Sequence, residues 1–173
     1  MILWKQPTVA KIYEALGALA DGRVKRVSPT SANVVSSSGD KTYTVEWGDD
    51  FSWITSNDNA SFWQGYLGYP IIAVLLLEGK IGYNKIVSEA LKGIPWKELN
   101  TRHKNNYDQT IAEVLEEARS KGQNCAEITR ECERIQAELK TVKIAKPPQG
   151  RKPPVASKGR PLNSKEKAQG DLF

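Results

Sequence analysis

From Pro70 to Leu77 the chain reads Pro-Ile-Ile-Ala-Val-Leu-Leu-Leu, without one polar side chain. A membrane span needs roughly 18 or more such residues, and Glu78 ends this run at once. A helix that is apolar all round has to be covered on every side by its own protein. Pro70 suits the first turn of such a helix, where a missing N–H leaves no bond unmade. The run therefore predicts a central buried helix over 71–77, with the other elements arranged as layers around it.

The flanking sequence supplies those layers. Thr8 to Ala20 carries Val9, Ile12, Tyr13, Leu16 and Leu19 at helical spacing, with Thr8 placed to cap the start and Asp21-Gly22 closing the end. Arg23–Val27, Ala32–Ser36 and Thr42–Trp47 read as strands, joined by turns at Ser28-Pro29-Thr30 and Ser38-Gly39-Asp40. Phe51–Thr55 is a candidate fourth strand, which makes an antiparallel meander. Short helices follow at Asn84–Leu91 and from Pro95 on, and Tyr107–Ser120 repeats Ile111, Val114, Leu115 and Ala118 on one face. Asn124 with Glu127 has the spacing of a capping box. The next helix sets Cys125, Ile128, Cys132, Ile135, Leu139 and Val142 in 3-4 alternation. Such a seam needs a partner, either the preceding helix or a second copy of the chain in a homodimer. The expected fold class is α+β: an antiparallel β-meander packed on helices (1–100), a C-terminal helical hairpin (101–142) and a disordered basic, Pro-rich tail (143–173).

Charge separates the tail from the rest. Residues 143–173 hold eight Lys/Arg against Glu166 and Asp171, whereas residues 1–142 hold 17 basic and 18 acidic side chains. Prolines at 147, 148, 153, 154 and 161 interleave with these cations, a composition that buries too little to offset chain ordering. Lys143, Lys146, Arg151, Lys152, Lys158 and Arg160 are accordingly candidates for a sequence-blind contact with nucleic acid. Met1-Ile2-Leu3-Trp4-Lys5 lacks the pattern of an export signal, and no apolar run is long enough for a membrane, so a cytoplasmic, nucleoid-associated location is expected. Cys125 and Cys132 lie two helical turns apart, about 10 Å and too far for a disulfide within one helix. With His103 the single histidine, Cys and His cannot assemble a zinc site, and no metal or other cofactor is expected.

The chain finishes Gln169-Gly170-Asp171-Leu172-Phe173. This ending resembles the bacterial sliding-clamp-binding pentapeptide, in which Gln, two linker positions, Leu and Phe recur. The resemblance implies docking on a DNA sliding clamp, with Leu172 and Phe173 in an apolar pocket and the Gln169 amide at its rim. Arg23 to Ile81 is similar in outline to a SWIM domain: a strand, a Ser-rich hairpin, the Tyr43-Thr44-Val45 strand, a polar loop and the apolar helix. The zinc ligands of that family would fall near Ile54, Ser56, Gly68 and Pro70, none of which is a ligand type. The likeness thus implies nucleic-acid or protein binding without metal, with Trp53, Phe62, Trp63 and Tyr66 packing in its place.

Five tryptophans are many for 173 residues. Trp47, Trp53 and Trp63 are expected in or beside the sheet as core, with stacking on unpaired bases open to any that face solvent. Glu46 with Asp49 and Asp50 is the one spacing that a hydrolytic metal site would use, and turn formation explains it equally well. His103, between Arg102 and Lys104, reads as a surface residue. The functional expectation is a non-enzymatic accessory protein of DNA replication or repair. The alternatives are a nucleic-acid-binding regulator acting through its body, and a small metal-dependent nuclease.

Overall fold

The computed structural model describes residues 1–148 and 150–156. Helix α1 (Val9–Ala20) is followed by strands β1 (Val24–Ser28), β2 (Ser31–Val35), β3 (Thr42–Trp47) and β4 (Ile54–Ser56). A single π-helical turn, Ala60–Gln64, leads to α2 (Tyr69–Leu77), α3 (Lys85–Ala90), α4 (Trp96–Arg102), α5 (Tyr107–Ser120) and α6 (Cys125–Leu139). The fold class is α+β. The sheet is an antiparallel meander in the order β1-β2-β3-β4.

Alternation along the strands gives the sheet one buried face. Ala32, Val34, Val45, Trp47 and Ile54 point inward and are closed off from water, while β1 is a mostly exposed outer edge. Against that face lies α2, with Pro70 in its first turn and Ile71 to Leu76 all buried. On the far side α1 covers α2, and α3, α5 and α6 in turn pack on α1. The apolar run is therefore the middle layer, as a helix without a polar face must be.

Several expectations are corrected. The Thr8 side chain makes no capping bond to α1. The fourth strand starts at Ile54 rather than Phe51, because Phe51 adopts a positive φ of 56° in the turn and stacks its ring on Trp47 at 5.2 Å. The capping box at α6 is half made: Asn124 Oδ1 accepts from Glu127 N at 3.1 Å. The Glu127 carboxylate reaches across instead to Asn84 Nδ2 at 3.3 Å, tying α6 to the start of α3. The α6 seam of Ile128, Cys132, Ile135 and Leu139 is buried within the chain, chiefly against α1 rather than the preceding helix α5. It is therefore filled internally and leaves no open groove for a second copy.

The expected divisions at 100 and 143 do not coincide with gaps in the packing. One hydrophobic cluster includes Trp4, Leu16, Val45, Ile72, Val114, Cys132 and Ile144. Beyond α6 the chain turns back to the sheet, where Ala145 bridges both Leu3 and Trp53. Lys146 N donates to Ile2 O at 2.8 Å. Among the described residues, no helix is long and apolar enough to cross a membrane.

Candidate functional site

The β4 edge does not end the sheet. Ser52–Ile54, Ala145, Leu3–Lys5 and Tyr66 run side by side as an irregular continuation of it. Ala145 N donates to Ser52 O at 2.9 Å and Ile54 N to Ala145 O at 3.2 Å. Lys5 N donates to Gly65 O at 2.9 Å, and Leu67 N to Lys5 O at 3.1 Å. Bridged residues on neighbouring strands share a face, and residues two apart along a strand share it as well. The bridges Trp53–Ala145, Leu3–Ala145 and Lys5–Tyr66 therefore set Trp53, Ala145, Leu3, Lys5 and Tyr66 on one side. Their chain neighbours Trp4, Ile54, Leu67 and Ile144 are buried on the other side, where Trp4 Nε1 donates to Ile54 O at 3.2 Å.

The outward side is aromatic and cationic. Trp53 is 37% exposed, Tyr66 38%, and Trp63 on the adjoining π turn 71%. Lys5 Nζ stands 5.3 Å above the Tyr66 ring on this side, while Lys146 lies at the margin of the seam, its Nζ 5.4 Å from the inward Trp4 ring and its side chain lining the cavity that also holds Trp53. A shallow cavity of about 710 Å³ opens beside Trp53, between Met1, Ile2 and the Pro147-Pro148 stretch. Of the expected cations, Lys143 is exposed near the seam. Arg151 pairs with Glu46 at 2.7 Å, and Lys152 O accepts from Asn57 Nδ2 at 3.3 Å. Lys158, Arg160, Gln169, Leu172 and Phe173 lie outside the described residues.

The positions that the SWIM likeness assigns to zinc ligands hold a buried polar knot. The Asp58 carboxylate accepts from Ser56 Oγ at 2.6 Å and from Ser61 N at 3.0 Å. Ser61 Oγ accepts from Gly68 N at 3.1 Å, which fastens β4 to the entry of α2. Ile54 belongs to the apolar core and Pro70 is buried at the start of α2. Of the rings expected to pack there, Phe62 is half-buried with its edge against Trp63, while Trp53, Trp63 and Tyr66 are at least a third exposed and do not fill the site.

A second concavity, of about 260 Å³, lies between α1, the β2–β3 hairpin and α4. Its wall includes Glu14, buried yet bonded to Asn100 Nδ2 at 2.7 Å and close to Lys11 Nζ at 3.5 Å. Burial opposes charge on Lys11, but Glu14 and Tyr107 outweigh it and its pKa rises. Burial pushes the Tyr43 phenol up to about 12 and Tyr69 further still. Lys11 stays protonated and both phenols stay neutral near pH 7, so none of these groups exchanges protons there. A lone acid within a nearly apolar helix was the one sequence sign of this cleft.

The remaining candidates are held apart. Glu46 is engaged by Arg151, and Asp50 Oδ1 accepts from Ser52 N at 2.9 Å, which lowers its pKa. Among the described residues no three His, Cys, Asp or Glu converge as metal ligands. His103 Nε2 is bonded to Glu113, whose carboxyl is held below its usual range by that bond and by Arg102. Burial pushes the Cys132 thiol up, and Cys125 Sγ donates to Leu115 O at 3.1 Å.

A family model described as "Uncharacterised conserved protein UCP014422" matches residues 4–145. The chain belongs to that family. The match opens on Trp4 and closes on Ala145, the two sides of the seam that shuts the body. Neither a curated protein nor a solved structure matches the chain.

Proposed function

We propose that this chain is a non-enzymatic accessory protein of DNA replication or repair, held on the DNA sliding clamp by Gln169, Leu172 and Phe173. The observation that carries this reading is the ending Gln169-Gly170-Asp171-Leu172-Phe173, beyond the family-matched body. Leu172 and Phe173 are the only large apolar side chains in the last ten residues. In a sequence otherwise polar and cationic, such a pair is best accounted for as an anchor for a pocket elsewhere. The 17 residues after Ala156 reach at most about 60 Å when fully extended, which bounds how far from the clamp the body can work.

Calorimetry of the full chain against a bacterial clamp tests the reading. A short peptide that orders on binding gives a dissociation constant of about micromolar. Phe173→Ala and Leu172→Ala each cost about 2 kcal/mol or more, and Gln169→Ala about 1 kcal/mol. Equal binding by the Phe173→Ala chain removes the reading.

A further inference from the structure

We infer that the outward side of the terminal seam, with Trp53 and Tyr66 flanking Ala145 and Lys5, binds single-stranded nucleic acid by stacking unpaired bases. This does not rest on clamp docking and concerns a different part of the chain.

Two independent observations meet on this surface. The first is flat apolar area. Trp53 and Tyr66 stand three strand spacings apart, about 15 Å, with Ala145 and the half-exposed Leu3 between them as an apolar floor. Trp63, the most exposed ring among the described residues, extends the row on the π turn. Rings in this position have no core to fill, since Trp4 and Leu67 fill it from beneath.

The second observation is charge. Residues 1–7, 52–56, 60–69, 143–148 and 150–156 build and border this side, and they carry Lys5, Lys143, Lys146, Arg151 and Lys152. Glu46 lines the cavity beside Trp53 and pairs with Arg151 at 2.7 Å, so the four lysines supply the surplus positive charge. Residues 1–142 as a whole are slightly acidic, so this concentration is local rather than a general bias. Cations that track a backbone, interleaved with exposed rings, are what a base-indifferent single-strand surface requires. A duplex hides the base faces that these rings would meet, and an acidic peptide would use the cations while leaving the rings bare.

The test compares two dodecameric ligands of equal charge, an oligothymidylate and an abasic deoxyribose-phosphate chain, each titrated into the full-length protein by fluorescence anisotropy over a salt series. Stacking predicts about tenfold or tighter binding of the oligothymidylate, with tryptophan quenching. Tyr66→Ala and Trp53→Leu, the latter keeping apolar bulk without the indole, each reduce that preference about fivefold or more at unchanged salt slope. Lys5→Gln and Lys146→Gln each lower the salt slope by about one without abolishing the preference. Melting curves confirm that each variant is folded, and Trp63→Ala deletes the most exposed of these rings at the loss of one edge-to-face contact with Phe62. Equal affinity for the two ligands, or a preference that survives removal of the rings, overturns the inference. Either failure leaves the clamp measurement untouched, and failure at the clamp leaves this one untouched.

Discussion

Gly68→Ala is a severe test of the polar knot. Gly68 has φ −69° and ψ 162°, a backbone that alanine adopts without strain, so the whole cost is contact. A Cβ there would sit 2.2 Å from Asp58 Oδ1 and 2.7 Å from its Cγ. An ordinary carbon contact is about 3.5 Å, so something must move by more than an ångström. The Asp58 carboxylate cannot yield freely, because Ser56 Oγ holds one oxygen and Ser61 N the other. Expelling it strands both donors in a dry site at about 1–3 kcal/mol each, and shifting α2 instead disturbs the central layer. A loss of about 3–5 kcal/mol is expected, a large part of a total stability of about 5–15 kcal/mol. Urea unfolding followed by tryptophan fluorescence measures it, with m unchanged if the denatured state is unaffected. Asp58→Ala removes the obstacle, so the double variant should be no less stable than Asp58→Ala alone. A Gly68→Ala chain within about 1 kcal/mol of the parent, or simple additivity with Asp58→Ala, refutes the contact reasoning.

The packing of residues 143–146 predicts that a chain ending at Val142 melts lower than one ending at Ala156, by about 2–4 kcal/mol from losing buried Ile144 and the Ala145 and Lys146 bonds; calorimetric melting of the two chains decides this. Alkaline stability should fall from about pH 10 upward. Burial holds Tyr13 and Tyr43 at about 12 in the folded chain, while unfolded phenols ionise near 10 and so bind fewer protons between these limits. Phenolate absorbance should show these two titrating only with unfolding. Cys132, fully buried with its thiol pKa raised, should resist a maleimide in the native chain and react on denaturation, as mass spectrometry would record.

The central helix was legible because eight apolar residues in a row, 70–77, admit few other fates, and the meander because β-branched residues and the turns at Pro29 and Gly39 agree over 23–47. The end of the body was not. Proline and lysine dominate residues 143–156, and against that composition a single Ile144 gave no sign that it completes the core. Trp53 and Trp63 misled in the opposite sense: large rings near a sheet default to its interior, and only the pairing of Ala145 with Trp53 reveals which side is outward. The α6 heptads announced a seam but not its partner, because burial beside α1 rather than α5 depends on layer order, which spacing along one helix does not encode. Gly68 carried no signal at all, since its close approach to Asp58 exists only once β4 and α2 have met.

The stitching of Lys146 to Ile2 and of Ala145 between Leu3 and Trp53 has a mechanical consequence. Tension applied at the C-terminus enters the body along residues 156 to 145 and meets their bonds one after another, from the Asn57 bond to Lys152 O inward. Contacts loaded singly give way at far smaller force than a helix layer loaded together. The seam therefore peels before α6 is disturbed. Ten residues, 147–156, can then extend to at most about 35 Å while the helices and the sheet stay folded. The same peeling strips Lys146 and Arg151 from beside the exposed rings, so a pulled molecule and a slack one present different surfaces to whatever lies against them.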